Sequence, residues 1–290
     1  GMSTSLMLLA AWGVFGALAR TAGPLAIPGS PWLVAMGMGA ILGEVPAAAI
    51  LSAGASSRSG AARLALAAAG GGLIGRMGDP AMLILAEGHP AVMLALFPLG
   101  VICAVIARPG SADLVAAEPE NRTRTKFVLG VALLAVIPGL TVWALMVGIV
   151  GLAFMVGDRR GHVDLAFVVW TALSLMVALL AVVSGLAEQI ATGLEMVGEL
   201  ADWMGPPALT FLAAVCAALT DGTGFAVLID GTLDRAISLR EPHLRLGLTA
   251  GIAVGGLAPL IAAGSIRAGL RLWALQVLVA VVWVGIWAVA

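Results

Sequence analysis

Charge is scarce in this chain: only 11% of its 290 residues are Asp, Glu, Lys or Arg, against about 25% in an ordinary soluble domain. With 61% hydrophobic residues and a mean hydropathy of +1.09, that scarcity excludes a water-soluble globular fold and calls for a polytopic membrane protein. Cysteine is nearly absent too. Cys103 and Cys216 stand alone in apolar runs with no CxxC, so neither a thiol redox centre nor a cysteine zinc site is expected. The three histidines, His89, His162 and His243, lie at segment edges without HxxxH or HExxH spacing. A metal-dependent intramembrane enzyme is therefore not expected, and no resident cofactor is implied. Net charge is −1 and no dense Lys/Arg cluster is present, which leaves nucleic acid without a surface to bind.

The apolar stretches far exceed the roughly ten-residue alternation of barrel strands, and about 20 helical residues cross a bilayer core, so the fold is all-α. The start MSTSLMLLAAW has no basic n-region and no small-residue cleavage site, and reads as a retained first span. Spans are expected at 4–25, 32–54, 62–88, 91–107, 127–156, 165–190, 207–230, 246–266 and 272–290. The polar stretch RPGSADLVAAEPENRTRTK, residues 108–126, divides the chain into halves at 1–107 and 127–290.

Both halves share one grammar. A span ending in a polar pair leads through an amphipathic connector into a segment broken at a carboxylate; then come a basic loop, a glycine-broken helix and a closing span. In the first half the acid is Glu44 and the glycines are Gly71 and Gly72. In the second they are Asp221 with Gly255 and Gly256. Broken helices at membrane depth are tolerated only where the freed backbone groups face protein or a watery cavity, so a repeated break marks a binding site. Residues 32–54 fit either one kinked span or a re-entrant hairpin, and 127–156 either one span or two. Counting hairpins and two short spans places Arg20, Arg58, Arg63, Arg108, Arg122, Arg124, Lys126, Arg159, Arg160, Arg267 and Arg271 on one face. The linker 108–126 is then cytoplasmic and the N-terminus outside. Trp32, Trp203 and Trp273 fall at segment ends, as interfacial belt residues do, and Glu188, Glu195 and Glu199 read as the solvated face of a connector.

Glu44, Asp79 and Asp221 are the acids best placed at membrane depth, where a charge costs about 2.5–3.5 kcal/mol and needs a partner, a cavity or a proton. Burial raises a carboxylate's pKa and suits it to reversible protonation. Each also reads as the cap of a half-helix. Five glycines and a proline within GGGLIGRMGDP, residues 70–80, preclude a regular helix there. Gly247, Gly251 and Gly255 form a GxxxGxxxG ridge for close helix approach. Arg76, inside the unwound stretch, reads as a counter-ion to Asp79 or Glu44, as an anion-binding residue, or as a residue snorkelling to the surface.

At these motifs the chain resembles the ion transporter superfamily, which includes arsenite-efflux permeases, NhaD-type sodium/proton antiporters and divalent-anion/sodium symporters. The family's GGTATLIGDPPN is similar to Gly71-Gly72 followed by Gly78, Asp79 and Pro80. Its GGNGTLIGAS is similar to Gly255-Gly256 running on to Gly264 and Ser265. Its DNxP hairpin signature is similar to Asp221-Gly222-Thr223-Gly224-Phe225 and, more loosely, to Gly43-Glu44-Val45-Pro46. The resemblance implies two inverted repeats, each with a re-entrant hairpin and a broken transmembrane helix, working by alternating access. It places Glu44, Asp221 and Asp79 at a proton or cation site. Gly71, Gly72, Gly78, Thr220, Thr223, Gly255, Gly256 and Ser265 line the cavity.

The chain departs from the family in lacking the spans that precede residues 4–25, the threonines beside the glycine breaks and the hairpin Asn. Fewer oxygen ligands disfavour a sodium site, and two hairpin carboxylates favour a proton. The expected function is monovalent cation (Na+)/H+ antiport in a bacterial cytoplasmic membrane, with H+ and Na+ as the coupling ions, the bilayer as partner and a homodimer as the assembly considered. An oxyanion or organic-anion carrier and a transport-inactive membrane subunit are the alternatives.

Overall fold

The computed structural model describes residues 2–27, 29–75, 85–86, 89–114, 119–135, 137, 139–156, 188–189, 192–193, 195–196, 199, 203, 205–220, 222, 224–226, 229 and 242–289. Among these residues the secondary structure is helical, with one isolated β-bridge between Ala55 and Leu114 and no strand. In chain order the helices are α1 (Met2–Ala22), α2 (Pro31–Leu42), α3 (Glu44–Ser52), α4 (Arg58–Gly72) and α5 (Pro90–Ala107). After a 3-10 turn at Ser111–Asp113 come α6 (Pro119–Ala135), α7 (Thr141–Val156), α8 (Pro206–Thr220), α9 (Pro242–Gly255), α10 (Ala258–Ala262) and α11 (Ile266–Val289). Proline opens α2, α5, α6, α8 and α9, where its fixed φ suits the first helical position and its missing N–H would have found no partner. Among the described residues three stretches are long and apolar enough to cross a membrane: Pro90–Ala107, Pro242–Ala262 and Ile266–Val289. The protein is thus an all-α membrane protein.

Two expectations from the sequence resolve here. Residues 127–156 form two helices, α6 and α7, which pack on each other about a turn with Gly139 at φ 85°. Residues 108–126 are not wholly a linker, because α6 already begins at Pro119. Thr125 is buried and accepts a 2.8 Å hydrogen bond from the Ala26 N–H, while Arg122, Thr123 and Lys126 remain exposed. A polar sequence can be helical when only one of its faces is docked.

Residues 32–54 are two helices meeting at Gly43, whose φ of 94° and ψ of 153° stop α2 and start α3. At about 1.5 Å per residue, 12 residues of α2 and 9 of α3 give roughly 18 and 14 Å, too short for either to cross a 30 Å core. Glycine contacts set their directions. A Cβ on Gly71 would strike the Met36 carbonyl of α2, and one on Gly75 the Ala40 carbonyl. The partner advances by four residues as the glycine does, so α2 and α4 run the same way and α3 carries the chain back between them. In the second half a Cβ on Gly247, Gly251 or Gly255 would strike Pro206, Thr210 or Ala214 of α8 in turn, so α8 and α9 are also parallel. This is the ridge expected from the GxxxGxxxG spacing, packed backbone on backbone.

The long helix α11 orients the two pairs. Gln276 Nε2 donates to the Cys103 carbonyl at 2.8 Å and Trp283 Nε1 to the Ala95 carbonyl at 2.8 Å, so α11 runs antiparallel to α5. Gly70 lies against Gly100 and Ala104, and Gly100 against Leu73 and Ile74, making α4 antiparallel to α5. Trp273 reaches Gly255, while Gly285 abuts Pro207, so α8 and α9 run opposite to α11. The pair α2/α4 therefore points opposite to the pair α8/α9.

Basic residues gather at one end. There Arg20 donates to the Ala262 carbonyl, Arg63 pairs with Asp113 at 3.5 Å, Arg124 lies under Gly23, and Arg108 closes α5 level with Arg267 and Arg271 at the start of α11. Arg245 sits at the other end beside His89. One apolar core joins parts of α1–α4, α6, α7 and α10; a second joins parts of α5, α8, α9 and α11. Trp273 packs against both.

Candidate functional site: two helix breaks

Glu44 is the first residue of α3 and is 6% exposed, the only buried carboxylate among the described residues. Its helix has glycine at the N-cap and therefore no side-chain cap, so the carboxylate supplies the negative charge that the free N–H groups of the first turn favour. The tip that carries it is fixed by packing. Pro46, in the same turn, fills the space that a Cβ on Gly16 of α1 would need, 2.7 Å from its Cα. The contact of Ala40 with Gly75 sets the end of α4 one helical turn before Glu44.

The second break lies at Gly256-Leu257, between α9 and α10. In a continuous helix the Gly255 carbonyl would accept from residue 259, but that residue is proline and has no N–H. The indole of Trp273 takes its place, donating to the Gly255 oxygen at 3.2 Å. Trp273 is thus half-buried and holds the helix break, and Trp203 is 83% exposed. Gly222 lies over the same break: a Cβ on it would be 3.3 Å from the Ile252 carbonyl oxygen and 3.6 Å from the Gly256 Cα. Backbone next to the second acid in sequence thus crosses the second glycine break.

The two seams correspond in sequence: Gly71 meets Met36, eight residues before Glu44, and Gly255 meets Ala214, seven residues before Asp221. In addition α3, which carries Glu44, packs on α10, directly after the second break.

Gly71, Gly72 and Gly255 are buried, and the Cβ directions of Gly71 and Gly255 are filled by helix backbone rather than open space. Gly256 is half-buried. Ser265 is buried just before α11, with α10 between it and the break in the chain. Thr220 ends α8. Arg76, Gly78, Asp79, Asp221 and Thr223 lie outside the described residues, as do the side chain of Thr220 and nearly all of the span expected at 165–190. In the connector Glu188 and Glu199 are exposed and Glu195 half-buried.

Sequence reasoning missed Pro259, Trp273, Gly39 and Gln276. Gly39 packs on Ala68, another seam contact between α2 and α4, and buried Gln276 ties α11 to α5. The spacing of Pro259 four residues after Gly255 was the one legible signal. At the far end, Arg245 Nη1 donates to His89 Nε2 at 2.7 Å and to the Leu85 carbonyl at 3.4 Å. Burial first, and then the Arg245 charge, lower the His89 pKa, so the neutral ring is the form that accepts from the guanidinium. The chain matches no family model, and comparison with curated proteins finds no significant match.

Proposed function

We propose that the chain is a proton-coupled secondary ion transporter, most concretely a monovalent cation (Na+)/H+ antiporter, and a relative of the ion transporter superfamily. The observation that carries this is Glu44, a carboxylate buried at the tip of two half-length helices, α2 and α3. Transport proteins put coupling sites at such interrupted helices, because half-helix ends and unwound backbone supply ion ligands at membrane depth. The opposite directions of the α2/α4 and α8/α9 pairs support two inverted repeats, and the matched seams support a common origin for the two helix pairs. On this reading 32–54 and 207–230 are re-entrant hairpins. Glu44 and Asp221 form one site that holds either protons or the cation, Asp79 shapes the cavity, and only the occupied or protonated forms reorient. The basic end of the bundle faces the cytoplasm of a bacterial inner membrane.

Proteoliposomes with an internal pH dye test this. Adding sodium or potassium outside acid-loaded vesicles raises internal pH in wild type, and Glu44→Gln and Asp221→Asn abolish the response. A response to small anions only, lost in Arg76→Gln, identifies an anion carrier. No response to any ion, with Glu44→Gln indistinguishable from wild type, refutes transport.

A further inference from the structure

Between α8 and α11 runs an apolar groove of about 610 Å³, lined by Phe211, Val215, Ala274, Leu278 and Val281, with Trp273 at one end. Its mouth is open: Phe211 is 54% exposed and Leu278 58%. At the far end it narrows, because Gly285 comes against Pro207, a Cβ there lying 3.2 Å from the Pro207 Cγ. On α11 the stripe Ala274, Leu278, Val281 continues backward at spacings of three and four residues to Arg271 and Arg267, both exposed and in no ion pair among the described residues. A channel that is narrow at its apolar end and headed by two cations has the charge and shape of one amphiphile with an anionic head.

We propose that this groove binds a single anionic phospholipid, its phosphate on Arg267 and Arg271 and an acyl chain laid between Phe211 and Leu278. Guanidinium binds phosphate oxygens bidentately, and two arginines one turn apart present two such forks. The arginines stand at the basic end of the bundle, so the lipid belongs to the leaflet on that side. Its chain rests beside Trp273 and Ala214, the residues that hold the Gly255 break, so occupancy stiffens that junction. This site is independent of the proposed transport and stands or falls separately.

The test uses the full chain, delipidated in mild detergent and titrated with phosphatidylglycerol or phosphatidylcholine of equal acyl length, with bound lipid counted by native mass spectrometry. Phosphatidylglycerol binds at one preferred site in wild type. Arg267→Gln/Arg271→Gln weakens it by about thirty-fold, from roughly 1 kcal/mol per surface arginine, and weakens phosphatidylcholine, whose phosphate charge is offset by its choline, by much less. Leu278→Trp, which fills the groove and keeps both arginines, also weakens it. Circular dichroism confirms that each variant is folded. Equal affinity for the two lipids, or an unaltered double variant, overturns the headgroup assignment; an unaltered Leu278→Trp overturns the groove. Cross-linking of Leu278→Cys into dimers would show a second copy covering this face and would overturn the proposal as well.

Discussion

Trp273→Phe keeps the ring over the α9–α10 junction but removes the indole N–H that, among the described residues, donates to the Gly255 carbonyl, since Pro259 has none to offer. Gly255 is buried, so its oxygen is left without the hydrogen bond it has in the wild type. An orphaned buried acceptor costs about 1–3 kcal/mol, so Trp273→Phe destabilises by that amount, with little added from lost packing. Pro259→Ala changes the outcome. It restores an N–H at the position that bonds to Gly255, and Leu257 already has helical angles, φ −90° and ψ −3°. In the Pro259→Ala background Trp273→Phe then costs well under 1 kcal/mol. The coupling between the two substitutions is about 1–2 kcal/mol, far above the roughly 0.5 kcal/mol scatter of independent sites. Denaturant unfolding of the four proteins in micelles, followed by circular dichroism, measures it. Additivity of the two changes would show that the indole is not standing in for the missing amide.

Two further outcomes follow from contacts described above. Gly251→Ala drives a methyl into the Thr210 carbonyl and to 2.7 Å from the Ala213 Cβ, whereas Gly37→Ala meets nothing within 4 Å. The first loses about 1–3 kcal/mol by overpacking and the second gains about 0.5–1 kcal/mol of helix propensity, so their melting temperatures move in opposite directions; shifts of the same sign contradict the seam. At the other end of the bundle, His89 has a lowered pKa in the folded state, so as pH falls through the ordinary histidine range the unfolded chain takes up the proton first and stability drops. Unfolding midpoints fall between pH 8 and pH 5, and His89→Gln flattens that slope; equal slopes in both proteins rule out His89 beside Arg245 as its source.

Much of the fold was legible because its signals are local. Prolines mark five helix starts, Gly43 next to Glu44 marks the tip between α2 and α3, and glycines spaced by four predicted the α8/α9 seam. The matching seam of α2 and α4 was not recognised, although Gly71 and Gly75 have the same spacing. Embedded in a run of glycines they signalled unwinding, while their partners, the carbonyls of Met36 and Ala40, leave no mark in a sequence. The hydrogen bond of Trp273 was hidden for a related reason: a tryptophan near a helix end suits a membrane interface and an internal hydrogen bond alike, and only the register of α11 against α9 brings the indole to Gly255. Glu44 was legible as an acid out of place, and its burial follows from a helix, α3, whose other buried residues are apolar.

A seam made of backbone has no rotamers to rearrange. Side-chain interfaces slide by exchanging one set of torsions for another, but where a glycine meets a carbonyl a small shift gives either a clash or a void. Hence α2 is locked to α4, and α8 to α9, in a register that neither pair can change by repacking side chains, and Glu44 follows directly on the end of the first locked pair.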